Sequence, residues 1–214
     1  MHRNILTLSL PKEFLTLQAV SFSTLCSMAP ITDRFFIALL PPLPLMAKLH
    51  ELKEYFAEHH NSKAALRSPP HITLLMPFLW RLDKIDRVEK TLIGLTQSQP
   101  TFPVELSNFG AFAPRVIYVD VLPEERLNQL QSGVAATCRT ELNLFNDKHK
   151  KGFSPHITVA FRDLRKAEFH QAWESFQQRN FSGNFEADSL TLLKHDGKQW
   201  EVFRQFPFGD NPAI

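Results

Sequence analysis

Cysteine is scarce in this chain of 214 residues, which contains only Cys26 and Cys138. The two lie far apart and form no Cys-x-x-Cys pair, so the sequence argues against a structural zinc site. We expect Cys138 to be a small buried residue on a helix. Because so few cysteines suit a reducing compartment, we expect a cytoplasmic protein.

Glycine is also rare, and the seven glycines form no Gly-x-Gly-x-x-Gly or Walker pattern. This absence argues against nucleoside triphosphates or dinucleotides as cofactors, since their phosphates are usually held by such loops. The nine histidines offer no evident metal-ligand cluster. His59 and His60 are adjacent and point apart, and we expect His149, His170 and His195 at the surface. The sequence therefore predicts neither a metal nor a cofactor.

No segment is long and apolar enough to span a bilayer. Phe14–Ala29 comes nearest, but polar residues interrupt it, and no signal-peptide cleavage site follows. We interpret residues 1–32 as an N-terminal extension, or as sequence upstream of a true start at Met28. Residues 33–210 contain no linker rich in glycine or serine. They are predicted to form a single domain of a soluble monomer that does not associate with membranes.

Charge and apolar content are those of an ordinary globular protein. The formal net charge is +2, and 43% of the residues are hydrophobic. A near-neutral chain neither requires nor excludes a nucleic-acid partner, because a local basic groove can exist on a neutral protein.

Apolar runs alternate with stretches of helical periodicity along the chain. Phe35–Leu40 and Val116–Val121 predict strands, and Leu45–Ala57 predicts a helix. Further helices are predicted from an N-cap at Asp83 to Leu95, over Pro123–Leu142 and over Lys166–Gln178. Further strands are predicted at the two repeats described next, at Phe102–Leu106 before a connection at Asn108–Arg115, at Phe181–Leu193 and at Trp200–Phe206, with a hairpin turn at His195–Lys198.

This order predicts an α+β fold with two pseudo-symmetric lobes. Each lobe would contain an antiparallel sheet flanked by helices, with a cleft between the lobes. Whether the lobes exchange strands stays open at this point.

The tetrapeptide Pro-His-Ile-Thr occurs twice, at Pro70–Thr73 and at Pro155–Thr158. Each copy begins a short apolar run, which predicts the start of a strand. Because alternate residues of a strand share a face, the histidine and threonine of each copy point together, away from the isoleucine between them. If the fold brings the copies face to face, four side chains converge on one cleft: His71, Thr73, His156 and Thr158.

Two imidazoles across a phosphodiester can divide acid and base catalysis, since histidine changes its charge near neutral pH. One neutral ring would remove a proton from water, and the other, protonated, would donate to the departing ribose oxygen. The two threonine hydroxyls would donate hydrogen bonds to the phosphoryl oxygens.

Paired His-x-Thr motifs of this kind resemble those of the 2H phosphoesterase superfamily, which includes the bacterial RNA 2′,3′-cyclic phosphodiesterases, also called 2′-5′ RNA ligases. The resemblance extends from Asp33 to about Phe208. It implies the same roles for both histidines and both threonines. It also implies that His71 acts as the acid towards the leaving group, which leaves His156 as the base.

Several basic residues are candidates for substrate binding, although each is also explained by a solvated surface position. Arg115 precedes a predicted strand where related ligase-like proteins often carry an arginine near the cleft, and Arg67 lies just before the first motif. Lys148, Lys150 and Lys151 precede the second motif and could attract a phosphodiester backbone.

Phenylalanine is abundant, with 19 residues against two tyrosines. Most should lie in the core. Phe153, Phe78 and Phe112 are candidates for stacking on a base, with core packing as the alternative for each.

The residues together predict a metal-independent phosphodiesterase that opens the 2′,3′-cyclic phosphate of an RNA end or a small nucleotide to a 2′-phosphate. Reverse 2′-5′ ligation would be the microscopic reversal. One alternative is a non-catalytic module that binds RNA or a phosphorylated ligand, although binding alone would tolerate arginine or lysine in place of titratable histidines. Another is a phosphodiesterase for a different ester, such as ADP-ribose cyclic phosphate.

Overall fold

The computed structural model of the protein describes residues 31–145 and 152–209. Nearly all of the predicted N-terminal extension, including Met28, lies outside these ranges. So do three candidate binding residues, Lys148, Lys150 and Lys151.

Eight strands and four α-helices follow one another within the described residues, in the alternating order that the sequence predicts. They are β1 (Thr32–Leu39), α1 (Leu43–His59), β2 (Ile72–Arg81), α2 (Ile85–Thr96), β3 (Phe102–Phe112), β4 (Val116–Val121), α3 (Glu125–Leu142), β5 (His156–Ala160), α4 (Lys166–Phe176), β6 (Ser182–Ala187), β7 (Ser189–His195) and β8 (Trp200–Pro207). Short 3-10 helices at Ala64–Arg67 and Leu82–Lys84 precede β2 and α2.

The ends of the helices follow from their local sequence. α1 begins after Pro42 and has a proline in its first turn, where no amide donor is needed. α3 ends at Asn143, which adopts the left-handed conformation (φ 55°) and donates its N–H to the Cys138 carbonyl. Cys138 is fully buried on this helix, as predicted, and burial raises the pKa of its thiol to about 12.

The strands form one antiparallel sheet in the order β6-β3-β4-β5-β2-β1-β7-β8. Its central junction is narrow, because β2 and β5 are joined by the single pairing of Ile72 with Ile157. This junction divides the sheet into two halves of four strands. Lobe A contains β1, β2, β7 and β8, and lobe B contains β3, β4, β5 and β6. The predicted α+β fold with two similar lobes is confirmed.

All four helices pack behind the sheet, where one continuous hydrophobic core lies. α2 and α3 cover lobe A, whereas α1 and α4 cover lobe B. Alternation along β1 sorts its side chains: Phe35 and Ile37 enter the main core, while Phe36 and Ala38 form a separate small cluster on the opposite face. None of the four described helices lies on that opposite face, and we call it the open face. Among the described helices, none combines the length and apolar character needed to cross a bilayer.

The lobes exchange strands: β6 belongs to lobe B, but β7 and β8, which follow it, belong to lobe A. The sequence left this question open. The predicted single strand Phe181–Leu193 is wrong, because the chain crosses from lobe B to lobe A at Asp188. Before the crossing β6 pairs with β3, and after it β7 pairs with β1 and β8. The core-facing positions change from odd to even numbers at the same place, from Phe185 and Ala187 to Leu190 and Leu192.

Two other boundaries differ from the prediction. β3 continues to Phe112 instead of ending near Leu106, because a bulge at Asn108 (φ 57°) lets the pairing resume. Asn108 exchanges hydrogen bonds with the Phe181 backbone, which stabilises the bulge. Asp83 is not the N-cap of α2; its carboxylate binds Arg81 instead.

Candidate active site

The two Pro-His-Ile-Thr segments are neighbours at the junction of the lobes. Ile72 and Ile157 pair across it, and both side chains are fully buried in the main core. The residues on either side of each isoleucine therefore point to the open face. Continuing this antiparallel register by one residue sets His71 opposite Thr158 and Thr73 opposite His156. The structure brings all four predicted side chains together.

Both imidazoles are held in the same way. His71 Nδ1 lies 2.7 Å from the carbonyl oxygen of Pro69, and His156 Nδ1 lies 2.8 Å from that of Ser154. A carbonyl can only accept a hydrogen bond, so Nδ1 must carry the proton in both rings. Each neutral ring therefore has an unprotonated Nε2, which can act as a base, or as an acid once protonated.

The electrostatic surroundings of His71 favour its neutral form. Burial lowers the pKa of His71 to about 4, and the positive charges of Lys53 and His156 add to this effect, while the bond to Pro69 opposes it. The influence of His156 on this pKa indicates that the two rings are close enough to interact.

Lys53 is a buried cation on α1 that holds the loop before the first motif. Its side chain is 1% exposed, and its Nζ donates to the carbonyl oxygens of Ala65 (3.1 Å) and Ser68 (2.9 Å). Burial lowers the pKa of Lys53 to about 7. Since α1 packs on β5, this lysine connects the approach to the first motif with the strand of the second.

Asp163 provides a second connection between the motifs. It lies three residues after β5 and accepts hydrogen bonds from Ser62 Oγ (3.0 Å) and from the amides of Lys63 and Ala64 (both 2.9 Å). These amides begin the 3-10 helix at Ala64–Arg67, whose free N–H groups need acceptors. The chain after the second motif thus fixes the chain before the first.

Aromatic rings support each histidine from its own lobe. The His71 ring lies 4.7 Å from the ring of Phe36, and the His156 ring lies 4.9 Å from Tyr118 and 5.0 Å from Phe112 (centroid distances). Such contacts restrict the rotation of the imidazoles.

The sequence pattern of the 2′-5′ RNA ligase superfamily matches residues 41–199. The chain belongs to this superfamily. A protein of Geobacillus sp. (strain WCH70) named "Putative phosphoesterase" is 28% identical over 82% of this chain and 96% of its own length. A protein of Bacillus licheniformis with the same description is 29% identical over 76% of this chain and 93% of its own length.

Solved structures show the same fold at lower identity. TT0787 of Thermus thermophilus superposes with a TM-score of 0.61 at 22% identity, covering 82% of this chain and 98% of that one. E. coli LigT, crystallised with 3′-AMP, gives 0.59 at 21% identity, covering 83% and 99%. The resemblance to 2H phosphoesterases is thus confirmed at the level of the superfamily and of the fold.

The auxiliary residues predicted for this superfamily member are spread more widely. Arg115 is exposed in the turn between β3 and β4, and Phe153 packs against the main core. Arg67 is exposed beside the first motif, and Phe112 contacts His156 directly. Phe78 packs on Phe35, at the core side of the sheet. Their predicted roles in substrate binding stay predictions, as does that of Lys151, outside the described residues.

Sequence reasoning missed a group of side chains on lobe A that adjoins His71 through Phe36. His195, expected at the surface, lies beside Trp200 and Arg34 on the open face, and Phe36 links this group to His71. No local pattern marks these residues, because strand pairing between β1, β7 and β8 brings them together. Within residues 31–145 and 152–209, no group of three or more His, Cys, Asp or Glu is arranged to hold a metal ion.

Proposed function

We propose that this superfamily member hydrolyses the 2′,3′-cyclic phosphate of an RNA end or a nucleotide to a 2′-phosphate by two-histidine acid–base catalysis. One observation carries the proposal: the two His-x-Thr pairs adjoin at Ile72 and Ile157 on the open face, with each histidine anchored through Nδ1. Two imidazoles that exchange protons through Nε2 suffice for both proton transfers.

We propose the division of labour from the protonation state of the first histidine. Because burial lowers the pKa of His71 to about 4, its ring carries no proton to donate in the free protein near pH 7, so it is better placed to accept a proton than to give one. This favours the reverse of the assignment that the resemblance implies, and leaves His156 as the acid. The base takes a proton from water, the hydroxide oxygen attacks phosphorus, the P–O3′ bond breaks, and the acid protonates O3′.

The threonines would stabilise the charge that develops on the phosphoryl oxygens. Thr73 and Thr158 each lie opposite the histidine of the other motif in the extended register. Their hydroxyls are therefore suited to donate to the two non-bridging oxygens of a phosphate between the rings. If a 5′-hydroxyl takes the place of water as the nucleophile, the same steps break the P–O3′ bond, protonate O3′ and give a 2′-5′ linkage.

The nature of the substrate is supported by the relatives. E. coli LigT, which shares the fold, was crystallised with 3′-AMP, and this supports a nucleotide or RNA end as the substrate. The scarcity of cysteine supports a cytoplasmic location for the same activity.

The proposal is tested by incubating the purified protein with 2′,3′-cyclic nucleotides and with ADP-ribose cyclic phosphate in excess chelator. We expect a 2′-phosphate product that forms at the same rate with and without the chelator. A 3′-phosphate product would contradict the protonation of O3′, and the absence of turnover across the panel would contradict the activity itself. If only ADP-ribose cyclic phosphate is hydrolysed, then that ester, and not a cyclic nucleotide, is the substrate of the same mechanism.

A further inference from the structure

The open face of lobe A continues from His71 to the outer strands through a series of ring contacts. Phe36 packs on His71 and on Trp200, with centroid distances of 4.7 and 4.6 Å. Trp200 in turn packs against His195 at 4.9 Å, and the guanidinium carbon of Arg34 lies 5.7 Å from the indole centroid. An aromatic and cationic surface thus adjoins the first motif.

His195 is a neutral hydrogen-bond donor on this surface. The Arg34 guanidinium donates to its Nδ1 at 2.9 Å, and the Gly197 amide donates to the same atom at 3.0 Å. Nδ1 therefore carries no proton, and the proton of the neutral ring is on Nε2, the opposite tautomer to that of the two motif histidines. Burial and the charge of Arg34 lower the pKa of His195, which keeps the ring neutral.

Arg67 is a second cation at this place, because it lines the same groove as Trp200. After burial and Arg34, Asp196 raises the pKa of His195 and the charge of Arg67 lowers it. Arg67 ends the 3-10 helix before the first motif. Within the described residues, neither Arg34 nor Arg67 forms a salt bridge, whereas Arg81 and Arg204 both do. The charges of Arg34 and Arg67 are therefore available to an anion.

The Asp196 carboxylate offsets part of this positive charge, since it raises the pKa of His195. Its Oδ1 accepts hydrogen bonds from the amides of Lys198 and Gln199, both at 2.7 Å, and these bonds close the hairpin between β7 and β8. The carboxylate is thus engaged by the turn in which it lies.

A groove next to the cluster has the size and lining for a nucleobase. Its volume is about 390 Å³, and its walls include Trp200, Arg67 and Pro70, the residue that precedes His71. Leu43 and Met46 of α1 contribute apolar surface on the other side. A planar ring would find an aromatic wall, an apolar floor and a guanidinium in one place.

We define the Trp200 surface by four side chains: Arg34, Arg67, His195 and Trp200. We propose that the Trp200 surface binds the nucleotide that adjoins the cyclic phosphate in an RNA strand, with its base against Trp200 and its phosphate among the arginines. The inference rests on the proposed function. If the Trp200 surface binds this nucleotide, an oligoribonucleotide end is preferred over a mononucleotide as the substrate.

The kinetic test compares three substrates: a 2′,3′-cyclic mononucleotide, the same compound with a 5′-phosphate, and a dinucleotide ending in the cyclic phosphate. We expect wild-type kcat/KM to rise in that order, with the dinucleotide about 10-fold or more above the mononucleotide, as one stacked base would give. Arg34→Ala should reduce the gain from the 5′-phosphate. Trp200→Ala should reduce the further gain from the second base, and Trp200→Phe should retain most of it.

Arg139→Ala is the matched control, because Arg139 is an exposed arginine of α3, behind the sheet. It should leave all three kcat/KM values unchanged. Equal wild-type values for the mononucleotide and the dinucleotide would overturn the inference while leaving the proposed function intact. If the 5′-phosphate raises kcat/KM but the second nucleotide adds nothing, and Trp200→Ala has no effect, then the assignment of an RNA strand to this surface is wrong.

A binding test separates this inference from catalysis. A single-stranded RNA trinucleotide with a 2′-phosphate, which is not turned over, is titrated into each folded variant. We expect its Kd to rise about 10-fold in Arg34→Ala and in Trp200→Ala, and to stay constant in Arg139→Ala. If the Kd values follow this pattern but no cyclic ester is turned over, the proposed function is refuted and the RNA-binding surface stands. Equal Kd values in all variants would refute the surface.

Discussion

Ile72 of β2 pairs with Ile157 of β5, and this one pairing joins the two lobes of the sheet. Each isoleucine stands between the histidine and the threonine of its motif, and both are fully buried. The buried isoleucines therefore fix the spacing of the two His-x-Thr pairs. Because the pairing is antiparallel, the extended register sets each histidine opposite the threonine of the other motif, which gives the site its approximate two-fold symmetry.

Gly110 gives Tyr118 the space that it needs beside His156. A Cβ at residue 110 would overlap with the Tyr118 ring, so Gly110→Ala must displace that ring. We expect kcat to fall about 10- to 100-fold, because small displacements of catalytic groups are costly, while the urea midpoint changes little. Gly94→Ala is the control, because no atom lies within 4 Å of the new Cβ. This variant should keep full activity and stabilise α2 by about 0.5–1 kcal/mol. Full activity of Gly110→Ala itself would show that Tyr118 does not orient His156.

His71 should titrate far below an ordinary histidine. Its pKa is lowered to about 4 by burial first and then by the charge of Lys53, and a titration of its ring by NMR should show a midpoint there. Lys53→Met removes that charge and should raise the midpoint. In the unfolded chain the pKa is about 6.5. Between about pH 6.5 and 4 only the unfolded chain takes up this proton, so this group lowers stability as the pH falls through that range.

Normal titration of His71 near pH 6.5 would remove the reason for naming it the base. An unchanged midpoint in Lys53→Met would show instead that burial alone sets the pKa.

Asp163 should affect both stability and catalysis, because it connects the two motif loops. Asp163→Ala leaves the amides of Lys63 and Ala64 and the Ser62 hydroxyl without their acceptor. We expect the free energy of unfolding to fall by about 1–3 kcal/mol in urea titrations, with a lower kcat. Asp83→Ala removes an exposed carboxylate paired with Arg81 and should change neither quantity noticeably. Equal behaviour of the two variants would contradict a structural link through Asp163.

The motifs could be predicted from sequence because their signal is local. A proline, a period of two residues and the alternation of His and Thr with Ile are all contained in four residues, and the structure places them as that period requires. The hairpin after His195 was predicted for the same reason: Asp196 and Gly197 form a turn whose hydrogen bonds are made within the turn itself.

The exchange between lobes could not be predicted in this way. The apolar residues between Phe181 and Leu193 are typical of a strand, and the crossing at Asp188 is fixed by pairing with β3 before it and with β1 after it. The available signals were Asp188 and Ser189 themselves and the change in the apolar period after Ala187. Arg34, His195 and Trp200 were missed for a related reason, since pairing between strands distant in sequence unites them.

The most direct test of the whole account is single-turnover hydrolysis of a 2′,3′-cyclic phosphate by His71→Ala, His156→Ala and the double variant, each shown to be folded. We expect each single substitution to lower the rate about 10²–10⁴-fold. The double substitution should lower it little further, because the two rings act on the same transition state as a unit. Wild-type rates in either single variant would contradict two-histidine catalysis at this site.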